Sequence, residues 1–476
     1  MSAPAILESL AVCFQGLLPA QLFTCSADGI PNAAYLSHVD YVDPTHVALS
    51  YQFFNKSRRN ISENPYACVS VPDPDTGQGW MLRLRYDRSE TSGPLFERMA
   101  LRIEAIASYC GLKGIFKLRA ADVYEVLSIT EVPEETGLTD LAGRPCRAES
   151  NRLFTMQAFQ DLATRLQGAE SLDALVDSIL AGLEASFGFK HSMILVPSEE
   201  PDVLVTIATR GYADNGAGAE VRIGEGIAGV VAEARKPIRI SGLMRGMLYA
   251  LAMHKAHEAP AAPANRFRIP LPGLPSPQSQ LGVPLLVRGE LIGVLCLESE
   301  VPYRFHEEDK TSVELLGNYL AIAIQNMQLH ERAAEAVEDV RGDRASAPPV
   351  TARPDGAPTT VASSAPPSAT GHALTYYAAD ECILVDGEYL IRSLPARILW
   401  RLLNAHAAQG RTEFTNRELR LDKSLNLPEW KDNLESRLLL LRRRLEQKVP
   451  AIRLVPRARG RFALELDSPI TLSTRD

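Results

Sequence analysis

The chain has 476 residues, which is too many for one hydrophobic core and predicts about three domains. Its composition, 46% hydrophobic and 23% charged with a net charge of −8, is typical of a soluble globular protein. No apolar run reaches the roughly 20 residues that cross a bilayer, and the N-terminus lacks the basic region of a signal peptide, so we expect a cytoplasmic protein with no membrane partner. The seven scattered cysteines include no CxxC pair, which favours reduced thiols over a disulfide or zinc framework.

The first part of the chain has the pattern of an antiparallel barrel. Residues 21–70 contain short apolar runs separated by the turn pairs Asp28-Gly29 and Asp43-Pro44. A helix is predicted over residues 94–110, and a final strand over residues 122–127. The apolar stripe of the predicted helix consists of Leu95, Met99, Ile103 and Ile106.

The order of these elements resembles the FMN-binding split barrel of the pyridoxamine 5′-phosphate oxidase family, and we assign residues 1–135 to such a domain. The resemblance is carried by the segments Phe53–Ala67 and Phe116–Val126. In that family the loop after the third strand binds the flavin phosphate, a group that favours charged and hydroxyl donors. The resemblance therefore implies FMN-binding residues at Lys56, Ser57, Arg58 and Asn60.

The segment Asn32–Leu36 departs from the family, which usually has an arginine in this strand. One expected phosphate contact is therefore missing. The barrel either binds FMN or a related flavin, or carries a solvated basic turn and has lost its cofactor. Oxidation of pyridoxamine phosphate is a third interpretation.

Residues 150–332 have the pattern of a second domain. Helical spacing over residues 154–187, with Ser171 as N-cap, precedes strands at 192–196 and 203–209. Two apolar strands over residues 281–299 and a closing helix from Glu307 follow. The segments Val221–Ile240, Val283–Ser299 and Phe305–Leu329 resemble a GAF domain. The resemblance implies a small-molecule sensor whose ligand varies between members, some of which bind nothing.

Two further patterns in this region are weak. The run Gly224–Gly229 matches GxGxxG, but no acidic residue follows about 20 positions later, so we interpret the glycines as a tight helix entry and not as a dinucleotide site. His254 and His257 form an HxxH pair in a Pro-rich insertion, and two ligands alone do not predict a metal site.

Residues 333–372 are rich in Ala, Pro, Ser and Thr and contain no aromatic residue, which predicts a flexible linker. The charge balance changes across this linker. Residues 373–476 hold 18 of the 50 Lys and Arg but only 14 of the 58 Asp and Glu, so a basic tail follows an acidic body. This organisation suggests a receiver coupled to an effector.

The tail resembles the winged helix of the response-regulator effector class. A strand region is followed by a helix around Ile398, a short helix capped by Thr415 and a longer helix over residues 431–448. The core stripe of the last helix is Leu434, Leu438, Leu441 and Leu445. The most specific match is Leu441–Leu445 followed by a terminal hairpin. In that class the third helix enters the DNA major groove.

The resemblance implies DNA binding, and the segment Lys431–Arg461 has ten Lys and Arg against three Asp and Glu, which suits phosphate contacts. Leu439 and Leu440 lie away from the core stripe, so we expect them to be exposed where base-reading residues are usual. A protein-binding winged helix is the alternative. The candidate DNA-binding residues are Ser436, Arg437, Arg442, Arg443, Arg444, Arg457, Arg459 and Arg461.

The sequence thus predicts a multidomain α+β protein with an N-terminal antiparallel split β-barrel, a central GAF α/β sheet domain and a C-terminal winged helix. We expect a homodimeric one-component regulator that senses a small-molecule effector or redox state and contacts DNA. The alternatives are a flavin-dependent oxidoreductase of the pyridoxamine phosphate oxidase-like type and a signalling scaffold that does not bind DNA.

Overall fold

The computed structural model describes residues 7–14, 20–52, 56–73, 78–109, 117–132, 156–169, 171–213, 215–241, 269–301, 304–305, 307–345, 371–425, 427, 434–458 and 460–475. The chain divides into two compact units. The first consists of Met1–Arg165, Ile179–Val205 and Thr209–Ala321, and the second of Leu166–Ser178, Thr206–Ala208 and Ile322–Asp476. Among the described helices, none is long and apolar enough to span a membrane.

The N-terminal sheet has seven strands in the order β2-β1-β5-β6-β7-β4-β3, and its paired strands are antiparallel, as predicted. Burial alternates along β5, where Ala67, Val69 and Val71 face the core, because successive side chains of a strand point to opposite faces. The strands are β1 (Ala20–Cys25), β2 (Pro31–Leu36), β3 (Val39–Asp43), β4 (His46–Tyr51), β5 (Tyr66–Pro72), β6 (Gly79–Glu90) and β7 (Ala120–Val132).

Two helices accompany this sheet, α1 (Lys56–Glu63) and α2 (Pro94–Tyr109). Proline suits the first position of α2 because it has no N–H to leave unpaired. Leu95, Met99 and Ile103 of α2 are buried, which confirms this part of the predicted stripe. Another part of α2 contributes to the hydrophobic core beside the central sheet, since Ala105 is buried among residues of that sheet.

The central sheet has six strands in the order β10-β9-β8-β13-β12-β11. Its strands are β8 (His191–Pro197), β9 (Val203–Arg210), β10 (Glu220–Arg222), β11 (Ile238–Ser241), β12 (Ser279–Val287) and β13 (Glu290–Ser299). The helices of this region are α3 (Met156–Gln167), α4 (Leu172–Phe187), α5 (Gly226–Ala234) and α6 (Glu307–Ala345). The Ser171 hydroxyl accepts the Ala174 N–H at 3.2 Å, which confirms the predicted cap of α4.

The glycines at the start of α5 form a tight helix entry, as the sequence suggested. Strand β10 pairs antiparallel with β9, so α5 does not open a parallel βαβ unit. A Cβ at Gly229 would lie 2.3 Å from the carbonyl oxygen of Arg222, so only glycine fits there. The close backbone packing explains why this position is a glycine, and no bound dinucleotide is needed to account for it. The predicted HxxH pair lies outside the described residues.

The first part of the segment predicted as a linker is helical. Helix α6 continues to Ala345, so residues 333–345 are helical, and residues 346–370 lie outside the described part of the chain. Favourable helix formers such as Ala and Glu in this segment account for the extension.

In its described residues the C-terminal module contains two sheets, three α-helices and a short 3-10 helix. One sheet has the order β16-β15-β14-β20, with β20 parallel to β14, and the other has the order β17-β19-β18. A capping box at Thr415 starts α8, as the predicted cap requires. The elements are β14 (His372–Tyr377), β15 (Cys382–Val385), β16 (Glu388–Arg392), α7 (Ser393–Gln409), β17 (Glu413–Thr415), α8 (Asn416–Leu421), α9 (Leu434–Lys448), β18 (Ile452–Ala458), β19 (Arg461–Leu466) and β20 (Ile470–Arg475).

Candidate functional site

The residues expected to bind a flavin phosphate lie on helix α1 and not on a loop. Ser57 and Asn60 are buried and point towards the sheet. The Ser57 hydroxyl accepts the Asn32 amide N–H at 2.9 Å, and the Asn60 amide donates to the Thr24 hydroxyl at 3.1 Å. These two side chains therefore fasten α1 to strands β1 and β2.

Arg58 is held by a carboxylate. Its guanidinium lies 3.2 Å from Asp122 of β7 and stacks on the ring of Tyr51, 4.1 Å from the ring centroid. Burial raises the pKa of Asp122, and hydrogen bonds from Ser89 and the charge of Arg58 oppose that rise. A phosphate would have to compete with Asp122 for this guanidinium.

Lys56 is exposed, so the four predicted residues do not converge on one anion site. Ser57 and Asn60 form hydrogen bonds within the domain, and Arg58 is paired with Asp122. Sequence reasoning missed Asp122, because it lies 64 residues from Arg58 and in a different element of the domain.

A second polar group lies on the central sheet, centred on Glu298 near the end of β13. The Glu298 side chain is buried, and its Oε2 accepts the backbone N–H of Leu274 at 3.0 Å. Its Oε1 accepts the side-chain amide of Gln280 on β12. The Glu298 carboxylate thus holds the segment of residues 269–278 against this end of the sheet by a backbone hydrogen bond.

Three more side chains complete what we call the Glu298 cluster. His191 of β8 is the direct cross-strand partner of Glu298, and its ring lies 5.5 Å from the ring of Tyr212. Cys296 is buried two residues before Glu298, so both point to the same face of β13. Gln280 is 8% exposed, and its Oε1 has no partner among the described residues.

Burial dominates the electrostatics of the cluster. It raises the pKa of Glu298, while the Leu274 N–H, the amide of Gln280, the Tyr212 hydroxyl and the charge of His191 act in the opposite direction. Burial together with the Glu298 charge also raises the pKa values of Cys296 and Tyr212, so the Cys296 side chain stays a neutral thiol near pH 7. The cluster offers hydrogen-bond acceptors and a titratable carboxylate, which suits a ligand that carries N–H donors or positive charge.

A family model described as the GAF domain matches residues 169–325, which contain the whole cluster. These residues form a GAF domain. GAF domains are small-molecule sensing domains, and the cluster lies on the sheet of this one. Glu298 could have been noticed in the sequence, since it is an acidic residue near the end of the otherwise apolar strand β13.

Solved structures similar to parts of the chain are distant. The GAF domain of a phosphoenolpyruvate-protein phosphotransferase from Coxiella burnetii is 23% identical over 39% of this chain and 99% of its own, with a TM-score of 0.30. An FMN-binding protein from Syntrophomonas wolfei is 15% identical over 27% of this chain and 90% of its own, with a TM-score of 0.23. HupZ from Group A Streptococcus is 17% identical over 26% and 92%, with a TM-score of 0.22. No curated protein matches the chain.

The candidate DNA-binding residues of helix α9 differ in their environments. Ser436 and Arg437 are buried. Arg444 is also buried, and its Nε donates to the carbonyl oxygen of Leu390 in β16 at 2.8 Å. Arg444 therefore links α9 to the first sheet of its own module.

The remaining arginines lie on α9 and the β18–β19 hairpin. Arg442 and Arg443 form ion pairs with carboxylates of α4 in the same compact unit. Arg457 is paired with Glu465 at 2.6 Å, and Arg461 is exposed. Arg459 lies outside the described residues.

Leu439 and Leu440 are not exposed, contrary to the expectation from the helical wheel. Their exposed fractions are 0% and 2%. The expectation assumed that α9 packs on one side only, whereas the helix contacts α7, β16 and β18 of its own module.

Proposed function

We propose that this protein is a one-component regulator in which the GAF domain binds a small molecule at the Glu298 cluster and the C-terminal module binds DNA as a winged helix. The observation that carries the sensing part is the buried Oε1 of Gln280, which lacks a partner among the described residues. An unpaired buried acceptor costs free energy, and a ligand N–H at this point would recover it. The neighbouring Glu298 carboxylate favours a cationic or N–H-rich ligand.

The element order supports the DNA-binding part. A four-stranded sheet, three helices and the hairpin β18–β19 are the parts of a winged helix, with α9 in the position of the groove-binding helix. Arg457 and Arg461 lie on the hairpin strands, where a wing would contact phosphates.

For the N-terminal domain we infer a split barrel from its antiparallel sheet and the position of α2. Its predicted phosphate residues do not fit FMN as they stand, since Ser57 and Asn60 are bonded within the domain and Arg58 is bonded to Asp122. No flavin chemistry follows from this arrangement, and the oxidoreductase alternative gains no support from it. The flavin absorbance of the purified chain is the direct measurement.

A homodimer is part of the proposal. Three large apolar side chains of α6 are exposed at intervals of seven residues, the spacing of one stripe of a coiled coil. They are Leu315, Ile322 and Leu329, with exposed fractions of 53%, 51% and 54%.

The sensing site is tested by thermal shift of the full chain with probe panels of amines, guanidines and nucleobases. We expect some N–H-rich probes to raise Tm for the wild type and not for Glu298→Gln. The control is Glu300→Gln, which changes an exposed carboxylate two residues away. Equal shifts in both variants would place the ligand elsewhere.

DNA binding is tested by a salt titration of the full chain starting at about 50 mM salt, where phosphate contacts are strong. The double variant Arg457→Ala with Arg461→Ala should reduce the slope of log K against log salt by about 2, since each lost phosphate contact removes about 1. The control is Arg83→Ala, an exposed arginine of the N-terminal sheet. An unchanged slope in the double variant would argue against a DNA-binding hairpin.

A further inference from the structure

Helix α9 is buried on more than one side. Leu434, Leu438, Leu441 and Leu445 form its core stripe, and Leu439 and Leu440 on other sides of the helix are equally buried. Within its module α9 packs on α7, β16 and β18, so more than one of its faces is covered.

Segments of the GAF region belong to the same compact unit as α9. The second compact unit joins the C-terminal module to Leu166–Ser178, which includes the start of α4, and to the part of α6 from Ile322. A cleft in this unit is lined by Leu172 of α4, by Met327 of α6 and by Leu438 of α9. The start of α4 and the later part of α6 therefore face the helix that the proposed function assigns to DNA.

The contact is also electrostatic. Arg442 is bonded to Asp173, and an Nη atom of Arg443 lies 2.6 Å from Asp177. The side chains of Arg442 and Arg443 are only 19% and 12% exposed. Asp173 and Asp177 are one helical turn apart on α4, so they present two negative charges on one face of that helix.

We propose that the start of α4 and the later part of α6 hold α9 in a state that does not bind DNA, with Asp173 and Asp177 bonded to Arg442 and Arg443 in place of two DNA phosphates. This inference rests on the proposed DNA binding and names its regulation. The two carboxylates and the DNA phosphates would bind the same guanidinium groups, so binding of one excludes binding of the other. A GAF ligand would activate the protein only if it binds the released state more tightly than the held state.

The test is Asp173→Asn with Asp177→Asn in the full chain, which neutralises both carboxylates and leaves every arginine in place. The matched control is Glu63→Gln with Asp161→Asn, which removes two exposed charges of α1 and α3. Two quantities are measured, the hydrogen exchange of residues 434–448 and the affinity for a mixed-sequence DNA duplex at fixed salt.

We expect faster exchange in residues 434–448 and roughly tenfold tighter DNA binding for the Asp173/Asp177 variant, as the loss of two partly exposed ion pairs implies. The control should match the wild type. Unchanged exchange together with DNA affinity equal to that of the control would overturn the inference. Faster exchange without DNA binding would refute the proposed DNA-binding function, and with it the blocking role of the contact.

Discussion

The hydroxyl of Ser108 accepts the backbone N–H of Gly226 at 3.0 Å, although the two residues are 118 positions apart. The same hydroxyl donates to the carbonyl oxygen of Gly224 at 2.9 Å. Helix α2 of the N-terminal domain thus binds the entry of α5 in the GAF domain, and a Lys236–Glu97 ion pair joins the same two regions. The two domains are coupled through α2.

Ser108→Ala should lower the free energy of unfolding by about 1–2 kcal/mol, because it leaves the Gly226 N–H and the Gly224 carbonyl without their partner. Urea denaturation of the full chain measures this change. Ser62→Ala is the control, since the Ser62 hydroxyl bonds only within its own helix and is exposed. A loss of stability equal to that of the control would show that α2 and α5 are not coupled by this hydroxyl.

Glu298→Gln should change the pH dependence of stability. The pKa of Glu298 is raised by burial above its ordinary value of 4.5, so the folded chain holds this proton more tightly than the unfolded chain. Stability therefore falls as pH rises from 4.5 through the folded pKa, and the glutamine variant should lack that slope. Tm measured from pH 4 upward on both proteins is the check, and parallel profiles would contradict the burial effect.

Arg444→Met should destabilise the C-terminal module by about 2–3 kcal/mol, because two strand carbonyls, at Leu390 and Tyr389, lose a charged donor. Arg461→Met is the comparison, and its exposed position predicts a change within about 0.5 kcal/mol. Thermal unfolding of the two variants separates a structural arginine from one that is free to bind phosphate. Equal effects would be inconsistent with this division.

Ile322→Glu should convert the proposed dimer to a monomer at micromolar concentration, since a carboxylate in a coiled-coil stripe would be buried without a partner on assembly. Sedimentation velocity of the full chain measures the change. Leu421→Glu serves as control, because Leu421 is 68% exposed and lies outside α6. A wild-type chain that sediments as a monomer would remove the dimer from the proposal.

Local features of the fold could be predicted from the sequence. The caps at Ser171 and Thr415 depend on residues within one turn, and both are present. The core stripe of α9 follows from helical periodicity alone, and all four leucines are buried.

Features that depend on distant pairing could not be predicted. Asp122 of β7 balances the charge of Arg58 in α1, 64 residues away, and the sequence does not reveal that these two elements lie side by side. Leu439 and Leu440 are buried in a helix that packs on α7, β16 and β18 at once, which no pattern within α9 can indicate. The Glu298 cluster likewise forms across three strands and one irregular segment.

The burial of Cys296 makes its thiol a chemical reporter of the sensor. Burial and, to a smaller extent, the adjacent Glu298 charge raise the pKa of the Cys296 thiol, so alkylating reagents should react first with the half-exposed Cys25 and Cys68. A cation bound at Glu298 would offset the smaller, electrostatic part of that pKa shift. The alkylation rate of Cys296 would then register occupancy of the cluster directly, without any measurement on the effector end of the chain.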